Sequence, residues 1–230
     1  MMFGGLALFF FGLVTARQAL QFLAGDRLRT IIARMTSNRF LAVILGCVVT
    51  LILQSSTAAT VMLVSFASTG IVTLTQAFGV ILGADIGTTF VVILLSVKKI
   101  AEYSLLMIAL GYLWELISGT RRTRYFGRIV FGFGLVFYGM YLMTQSAAPL
   151  ATSSDAASVF RFLESHPLVN LILAALFTAF GHNSAATIGI AIALALSGSL
   201  SLSAAIPIVL GANVGTTGTA LLAGFSSGTD

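Results

Sequence analysis

The chain has 230 residues, of which 58% are hydrophobic and 8% are charged, and its formal net charge is +5. A soluble domain carries about 25% charged residues, so this composition excludes an ordinary soluble protein and indicates an integral membrane protein. Its arginines lie in short loops and form no basic stripe with interleaved aromatic residues, which argues against nucleic acid as a partner.

Seven apolar blocks follow one another along the chain. Helices are expected in all of them, because the sequence has only three prolines and shows no alternating strand pattern. A helix that crosses a membrane needs about 20 mostly apolar residues. The blocks are residues 2–23, 40–69, 71–97, 100–117, 129–144, 168–200 and 202–225.

A polar run, L-Q-S-S-T-A-A-T at residues 53–60, interrupts the second block. An unsatisfied backbone group costs several kcal/mol in hydrocarbon, so a broken helix survives at membrane depth only where it is buried in protein or lines a cavity. We therefore predict a re-entrant hairpin of two half-helices, roughly residues 40–53 and 57–68. A re-entrant third block is the alternative.

Three patterns occur twice, in the same order. G-L-A-L-F-F-F-G-L at residue 5 returns as G-F-G-L-V-F-Y-G-M at residue 132, which is 127 residues later. T-A-A-T at residue 57 returns as S-A-A-T at residue 184, again 127 residues later. G-A-D-I-G-T-T at residue 83 returns as G-A-N-V-G-T-T at residue 211, which is 128 residues later. The chain is therefore predicted to be a duplication, with a second hairpin at about residues 168–197.

Two basic loops predict how the copies are oriented. Short cytoplasmic loops hold an excess of Lys and Arg, and residues 25–39 and 119–128 each hold four arginines. If both loops are cytoplasmic and the second block does not cross, three crossings precede the fifth block and the second copy is inverted. Lys98 and Lys99 then lie outside, unless residues 100–117 lie in the membrane interface. We therefore predict a single transmembrane domain, residues 1–230, with a first repeat at 2–97, a linking helix and basic loop at 98–125, and a second, inverted repeat at 126–225.

Broken helices of this kind can bind ions. Half-helix N-termini present N–H groups and a positive dipole end to an anion, and hydroxyl and carbonyl oxygens suit Na⁺. For an isolated Ser or Thr, packing or a bond to its own backbone is the simpler interpretation. The candidate anion-binding residues are Gln54, Ser55, Ser56, Thr57, His182, Asn183 and Ser184. The candidate Na⁺-binding residues are Thr60, Asp85, Thr88, Thr89, Thr187, Asn213, Thr216 and Thr217.

Asp85 is the most informative of these candidates, because no other acidic residue lies between Asp26 and Glu102. A carboxylate inside a membrane segment is a functional hypothesis by default. Asp85 is therefore a candidate cation ligand or proton acceptor, and a helix N-cap or an ion pair with an arginine is the alternative. Its counterpart in the second copy is the neutral Asn213.

Two glycines in the third block recur in the second copy. Gly83 and Gly87 correspond to Gly211 and Gly215, and we predict a chain break at each pair, with close helix packing as the alternative. His182 lies in the second polar break, where it could hydrogen-bond an anion, titrate or be a packed histidine.

The pair Q-S-S-T-A-A-T and G-A-N-V-G-T-T, duplicated along a short helical chain, resembles the type II sodium/phosphate cotransporters and their bacterial relatives. Gln54 to Thr57 match the first family signature, and Asn213, Gly215, Thr216 and Thr217 match the second. The second copy departs from the family by reading G-H-N-S at residues 181–184, where Q-S-S is expected. The first copy carries Asp85 where asparagine is common.

The resemblance implies an all-α polytopic membrane protein with two inverted-topology repeats, each with a re-entrant helical hairpin and a broken transmembrane helix. It implies a symporter that couples inward Na⁺ movement to uptake of inorganic phosphate, with both ions bound near the membrane midplane between the two hairpin tips. Na⁺ is the coupling ion and no other cofactor is expected. The expected location is the bacterial inner membrane, as a multi-pass protein.

Other interpretations stay open. A different oxyanion such as sulfate or arsenate, a proton in place of Na⁺, or a membrane sensor or scaffold that transports nothing would fit the same features. A homo-oligomer is also compatible with them. Many bacterial relatives continue into a cytoplasmic helical domain similar to the phosphate-regulation protein PhoU, which is not among residues 1–230. An enzyme is not expected, because no G-x-S-G or G-x-G-D motif occurs.

Overall fold

The computed structural model describes residues 1–24, 38–70 and 72–227, without the side chains of residues 98, 219, 220 and 222–227. These residues form helices and turns and no strand, as the sequence predicts. Arg27, Arg29 and Arg34 of the first predicted basic loop lie outside the described residues.

The helices are α1 (Met2–Ala24), α2 (Arg39–Leu53), α3 (Ser56–Ser68), α4 (Leu74–Ser96), α5 (Lys98–Glu102), α6 (Ser104–Ile117), α7 (Arg121–Ala147), α8 (Ser154–Ser165), α9 (Pro167–Gly181), α10 (Ser184–Leu196) and α11 (Leu202–Ser227). Most of the helices lie within the apolar blocks, whereas α7 begins before its block and α8 lies outside all of them. A short 3₁₀ helix, Ala148–Thr152, joins α7 to α8.

Three helical segments of the described chain are long and apolar enough to cross a membrane: α1, α4, and α7 with its 3₁₀ extension. The pair α8 and α9, bent by 103°, would add a fourth if it forms one span. By contrast, α2, α3, α6 and α10 have 13 to 15 residues each. At 1.5 Å per residue they reach about 20–23 Å, which is less than the ~30 Å hydrocarbon core.

The chain divides into two compact units. Unit 1 is Met1–Ala16 with Leu95–Thr216, and unit 2 is Arg17–Leu94 with Thr217–Asp230.

In unit 2, the second apolar block forms a helical hairpin. Leu45 and Val49 of α2 share one buried cluster with Ala59 and Leu63 of α3, so the two arms fold back on each other as the sequence predicts. The third block forms the single continuous helix α4, so the alternative of a re-entrant third block is wrong.

The predicted chain breaks at Gly83 and Gly87 are also wrong, because both residues lie inside continuous α4. A Cβ atom on Gly83 would overlap the carbonyl oxygen of Val43, and one on Gly87 would lie 2.7 Å from the carbonyl oxygen of Cys47. The glycines therefore let α4 contact α2 through its backbone. Both contacts advance by four residues, so the two helices run parallel.

In unit 1, α6 and α7 form an antiparallel pair. The predicted basic loop at residues 119–128 is largely helical, because α7 begins at Arg121, well before the predicted start of its block. Thr120 caps the helix by accepting a hydrogen bond from the backbone N–H of Thr123 at 3.3 Å, and arginine is a good helix former. The arginines thus form the first turns of α7.

The N-terminal part of α1 packs antiparallel against α7 through glycines. A Cβ atom on Gly5 would lie 2.8 Å from the carbonyl oxygen of Gly139, and one on Gly12 would lie 2.6 Å from that of Gly132. Phe9, fully buried between these two contacts, lies against Gly189 of α10, where an added Cβ would come within 2.9 Å of the phenyl ring.

Also in unit 1, α11 packs on α9 as α4 packs on α2. A Cβ atom on Gly211 would overlap the carbonyl oxygen of Leu171, and one on Gly215 would overlap that of Ala175. The helix is continuous from Leu202 to Ser227, so the chain break predicted at these two glycines is wrong as well.

Candidate functional site

The first polar break is the turn between α2 and α3. Gln54 ends α2 in the left-handed region, with φ of 50°, and its side-chain amide donates to the carbonyl of Leu51 at 2.8 Å. Ser55 is extended, and its Oγ accepts from the backbone N–H of Ala58 at 3.2 Å. Ser56 then begins α3. A helix leaves its first N–H groups without acceptors of its own, so those of Ser56 and Thr57 lie at this tip.

The second polar break has the same local geometry with different side chains. His182 ends α9 in the left-handed region, also with φ of 50°. Asn183 is extended, and its Oδ1 accepts from the backbone N–H of Ala186 at 3.3 Å. Ser184, 9% exposed, begins α10. Gln54 and His182 are the only non-glycine residues with positive φ in the described part of the chain.

The two hairpins correspond at an offset of 128 residues. This offset relates Gln54 to His182 and Ser55 to Asn183, and it also relates the left-handed glycines that end the turns after α3 and α10, Gly70 and Gly198. The sequence match of T-A-A-T with S-A-A-T has an offset of 127, so it aligns the tips one residue out of register. Because Ser55 and Asn183 cap their helices in the same way, the inserted residue lies before the second tip.

A pair of buried threonines joins the two arms of the second hairpin, and the sequence analysis selected only one of them, Thr187. Thr178 of α9 and Thr187 of α10 bond through their hydroxyls at 2.7 Å, and both are buried. In the first hairpin the same positions are Thr50 and Ala59, and the buried Thr50 hydroxyl has no hydrogen-bond partner. Thr187, a candidate Na⁺ ligand, is therefore engaged in closing its hairpin.

The candidates on α4 and α11 use their hydroxyls locally. Thr88 and Thr89 donate to the carbonyls of Ala84 and Asp85, both at 3.1 Å, and Thr216 donates to the carbonyl of Ala212 at 2.9 Å. Such bonds to the preceding turn are a common structural use of threonine.

Asp85 and Asn213 occupy equivalent exposed positions. Asp85 lies on α4 between Gly83 and Gly87, which contact Val43 and Cys47 of α2, so it is about level with residue 45 of α2. Residue 45 precedes Gln54 at the tip by nine residues, which is about 14 Å along the axis of α2. Within unit 2 the structure therefore does not place Asp85 beside the tip of its own hairpin, and the same spacing separates Asn213 from His182 in unit 1.

The two remaining candidate Na⁺ ligands, Thr60 and Thr217, lie on α3 and α11. Thr60, half-buried, lies one turn beyond Ser56 on the same side of α3. Thr217 is exposed on α11, one residue beyond Thr216. Each tip thus offers backbone N–H groups, a side-chain amide or imidazole, and hydroxyls, without an arginine or lysine among its residues.

Comparison with known proteins adds independent information. A protein-family model described as Na⁺/Pi-cotransporter matches residues 8–145 and 144–229. The chain is 29% identical over 216 residues to proteins named "Putative inorganic phosphate export protein YjbB" from Salmonella typhimurium and Escherichia coli K12, an alignment that covers 94% of this chain and 40% of each relative. It is 28% identical over 227 residues to "Uncharacterized protein YqeW" from Bacillus subtilis, covering 98% of this chain and 73% of that protein.

The chain thus spans about two fifths of the length of the first two relatives. No solved structure matches it.

Proposed function

The chain belongs to the Na⁺/Pi-cotransporter family, and from this premise we propose that it transports inorganic phosphate across a membrane with Na⁺ as the coupling ion. The family is one of transporters rather than enzymes. The observation that carries the proposal is the equivalent construction of the two tips, each with a left-handed residue followed by a capped helix start.

The tips suit phosphate because they offer donors rather than charge. The N–H groups of Ser56 and Thr57 begin α3, those of Ser184 and Ala185 begin α10, and a helix N-terminus favours an anion. A transporter must also release its substrate, and donors without a fixed positive charge hold a phosphate ion less tightly than arginines would. We propose that both tips contribute to phosphate binding.

Na⁺ would be held by oxygen atoms. The hydroxyls of Thr60, Thr88 and Thr89 and the carboxylate of Asp85 provide such atoms in the first copy, and Asn213, Thr216 and Thr217 provide them in the second. If Na⁺ and phosphate bind cooperatively, each raises the affinity for the other by the same factor. The apparent affinity for phosphate should therefore increase with Na⁺ concentration.

The contact between α1 and α7 supports an inverted relationship between the two copies. The sequence repeat relates Gly5 to Gly132 and Gly12 to Gly139. In the structure Gly5 contacts Gly139 and Gly12 contacts Gly132, which is the reciprocal pattern that a two-fold axis generates. The two helices are antiparallel, as inverted copies in a membrane require.

Reconstitution into liposomes tests the proposal. Radiolabelled phosphate uptake is measured with an inward Na⁺ gradient and again with choline in place of Na⁺, at two pH values. We expect uptake to need both the protein and Na⁺. A phosphate flux that depends on pH and not on Na⁺ would indicate proton coupling. A flux equal to that of empty liposomes would contradict transport and favour a membrane sensor or scaffold.

Phosphate export is a second candidate, because the relatives from Salmonella and Escherichia carry that word in their names. An inside-negative potential favours the exit of each negative charge by about 2.3 kcal/mol per 100 mV, whereas an inward Na⁺ gradient favours uptake. Efflux from phosphate-loaded liposomes without Na⁺, under an imposed potential, distinguishes the two directions.

A further inference from the structure

A cavity of about 400 Å³ lies where α6 ends and α7 begins. Its lining is Glu115, Arg121, Arg124, Tyr125 and Arg128. All of these residues belong to unit 1, and none is a candidate for the transport site.

Glycines hold the two helices together beneath this cavity. A Cβ atom on Gly111 would overlap the backbone nitrogen of Phe131, and one on Gly127 would lie 2.7 Å from the backbone nitrogen of Glu115. Because the backbones are in contact and only residues 118–120 connect the helices, Glu115 lies directly across from Arg128. Arg128 Nε and Glu115 Oε1 are 3.8 Å apart.

The cavity has an excess of positive charge. Arg121, Arg124 and Arg128 lie three and four residues apart and therefore share one face of α7, and Glu115 is the single carboxylate in the lining. Among the described residues, the side chains of Arg121 and Arg124 form neither an ion pair nor a hydrogen bond. Two guanidinium groups thus remain available to an anion, and the planar donor array of arginine fits phosphate oxygens in pairs.

Large exposed apolar side chains lie next to the lining residues in sequence. The side chains of Trp114, Ile117 and Phe126 are 50%, 72% and 45% exposed. From residue 129 onward α7 continues as an apolar helix. Aromatic and basic side chains at the end of an apolar helix mark the membrane–water interface, where basic pockets meet phosphate-bearing headgroups.

We propose that this cavity is a binding site for a phosphate group with net negative charge, taken from an anionic phospholipid headgroup or from free inorganic phosphate. Arg121 and Arg124 bind the phosphate oxygens, and Glu115 holds Arg128 in place while limiting the positive charge. The site does not depend on the proposed transport function.

Trp114 provides the measurement, because it is the only tryptophan in the chain and adjoins Glu115. The full chain is placed in two kinds of bilayer. One contains brominated phosphatidylglycerol with unlabelled phosphatidylcholine, and the other contains brominated phosphatidylcholine with unlabelled phosphatidylglycerol. Quenching of Trp114 fluorescence in each bilayer reports which lipid lies beside it. In wild-type protein we expect phosphatidylglycerol to be preferred. R121Q/R124Q should lower that preference by about tenfold, and E115Q should raise it.

R122Q/R161Q is the matched control, because it removes the same two charges from residues that do not line the cavity. A second arm uses phosphatidylcholine bilayers and adds inorganic phosphate at constant ionic strength. A change in Trp114 emission that R121Q/R124Q abolishes, without any lipid preference, would assign the site to free phosphate.

Circular dichroism verifies that every variant is folded. If neither the lipid preference nor the phosphate response differs between wild-type protein and R121Q/R124Q, or if R122Q/R161Q has the same effect as R121Q/R124Q, the proposal is overturned.

Discussion

The hydroxyls of Thr178 and Thr187 bond at 2.7 Å across the second hairpin, whereas the first hairpin has no such bond. At the offset of 128 residues, Thr178 corresponds to Thr50 and Thr187 to Ala59. Ala59 cannot bond, so the buried hydroxyl of Thr50 lacks a partner. The two hairpins have arms of equal length and the same backbone geometry at their tips, but their polar interiors differ.

This difference predicts that the same substitution lowers stability in the second hairpin and does not lower it in the first. Thr178→Val leaves the buried Thr187 hydroxyl unpaired and should lower the free energy of unfolding by about 1–3 kcal/mol. Thr50→Val removes a hydroxyl that has no partner and should be neutral or stabilising. Thermal unfolding of the two purified variants in detergent is the measurement.

The double variant T178V/T187A is the control, because it removes both partners and should recover part of the loss. An equal loss of stability in Thr50→Val and Thr178→Val would contradict this account of the hairpins.

The glycines of α4 and α11 give a second prediction. A methyl group on Gly83 or Gly211 would overlap a carbonyl oxygen of the neighbouring helix, so Gly83→Ala and Gly211→Ala should each cost about 1–3 kcal/mol of stability through overpacking. Gly218, also in α11, has nothing within 4 Å of an added Cβ. Gly218→Ala should therefore stabilise the helix slightly, by up to about 1 kcal/mol.

Unfolding midpoints of these three variants can be compared in one detergent. The packing assignment fails if Gly83→Ala is as stable as Gly218→Ala.

The sequence predicted the helical hairpins well and the role of these glycines badly, for one physical reason. A glutamine followed by serines in an apolar run breaks a helix through local effects, so the ends of α2 and α3 could be read from the sequence. A glycine can mark either a break or a close contact. At Gly83 the outcome depends on the carbonyl of Val43, which lies 40 residues away in sequence.

The start of α7 and the register of the tips were missed for similar reasons. Four arginines suggest a loop by charge, although arginine is a good helix former and Thr120 supplies a cap. Ser55 and Asn183 cap their helices with the same geometry but share no letter. Alignment by residue identity therefore matched the tips one position out of register.

Substitutions at Gln54 and His182 can distinguish the contribution of the backbone to stability from the contribution of the side chain to phosphate binding. Both have φ of 50°, a conformation that glycine adopts readily and that costs other residues about 1–2 kcal/mol. Gln54→Gly and His182→Gly should therefore keep or raise the unfolding temperature. If these side chains hydrogen-bond phosphate, each variant should reduce phosphate flux by about tenfold or more, since hydrogen bonds to charged groups contribute about 1.5–3 kcal/mol.

The measurement pairs thermal unfolding with radiolabelled phosphate flux in liposomes. Gln54→Val is the comparison for the backbone, because a β-branched residue is strongly disfavoured at this φ and should lower stability. Wild-type flux in both glycine variants would remove the two side chains from the binding site.

Asp85 provides the last prediction. Its carboxylate is exposed on α4 and lies about 14 Å, along the axis, before the tip of its own hairpin, so it is not expected to contact phosphate bound at that tip. A charge placed within an apolar span is costly, so a carboxylate that is present there is a functional hypothesis by default. Asp85→Asn copies the residue found at position 213, preserves shape and removes the charge, so stability should stay the same or rise. If the carboxylate binds Na⁺, the Na⁺ concentration for half-maximal flux should rise by about tenfold while phosphate still binds.

Phosphate flux against Na⁺ concentration at two pH values tests this prediction, with Glu164→Gln on exposed α8 as a control that removes one carboxylate elsewhere. A variant whose flux loses its pH dependence and keeps its Na⁺ dependence would make Asp85 a proton acceptor instead. If flux responds to Na⁺ and to pH as it does in wild-type protein, the carboxylate takes part in neither coupling. A group that binds the coupling ion contributes free energy to that binding, so its removal must change the ion's affinity.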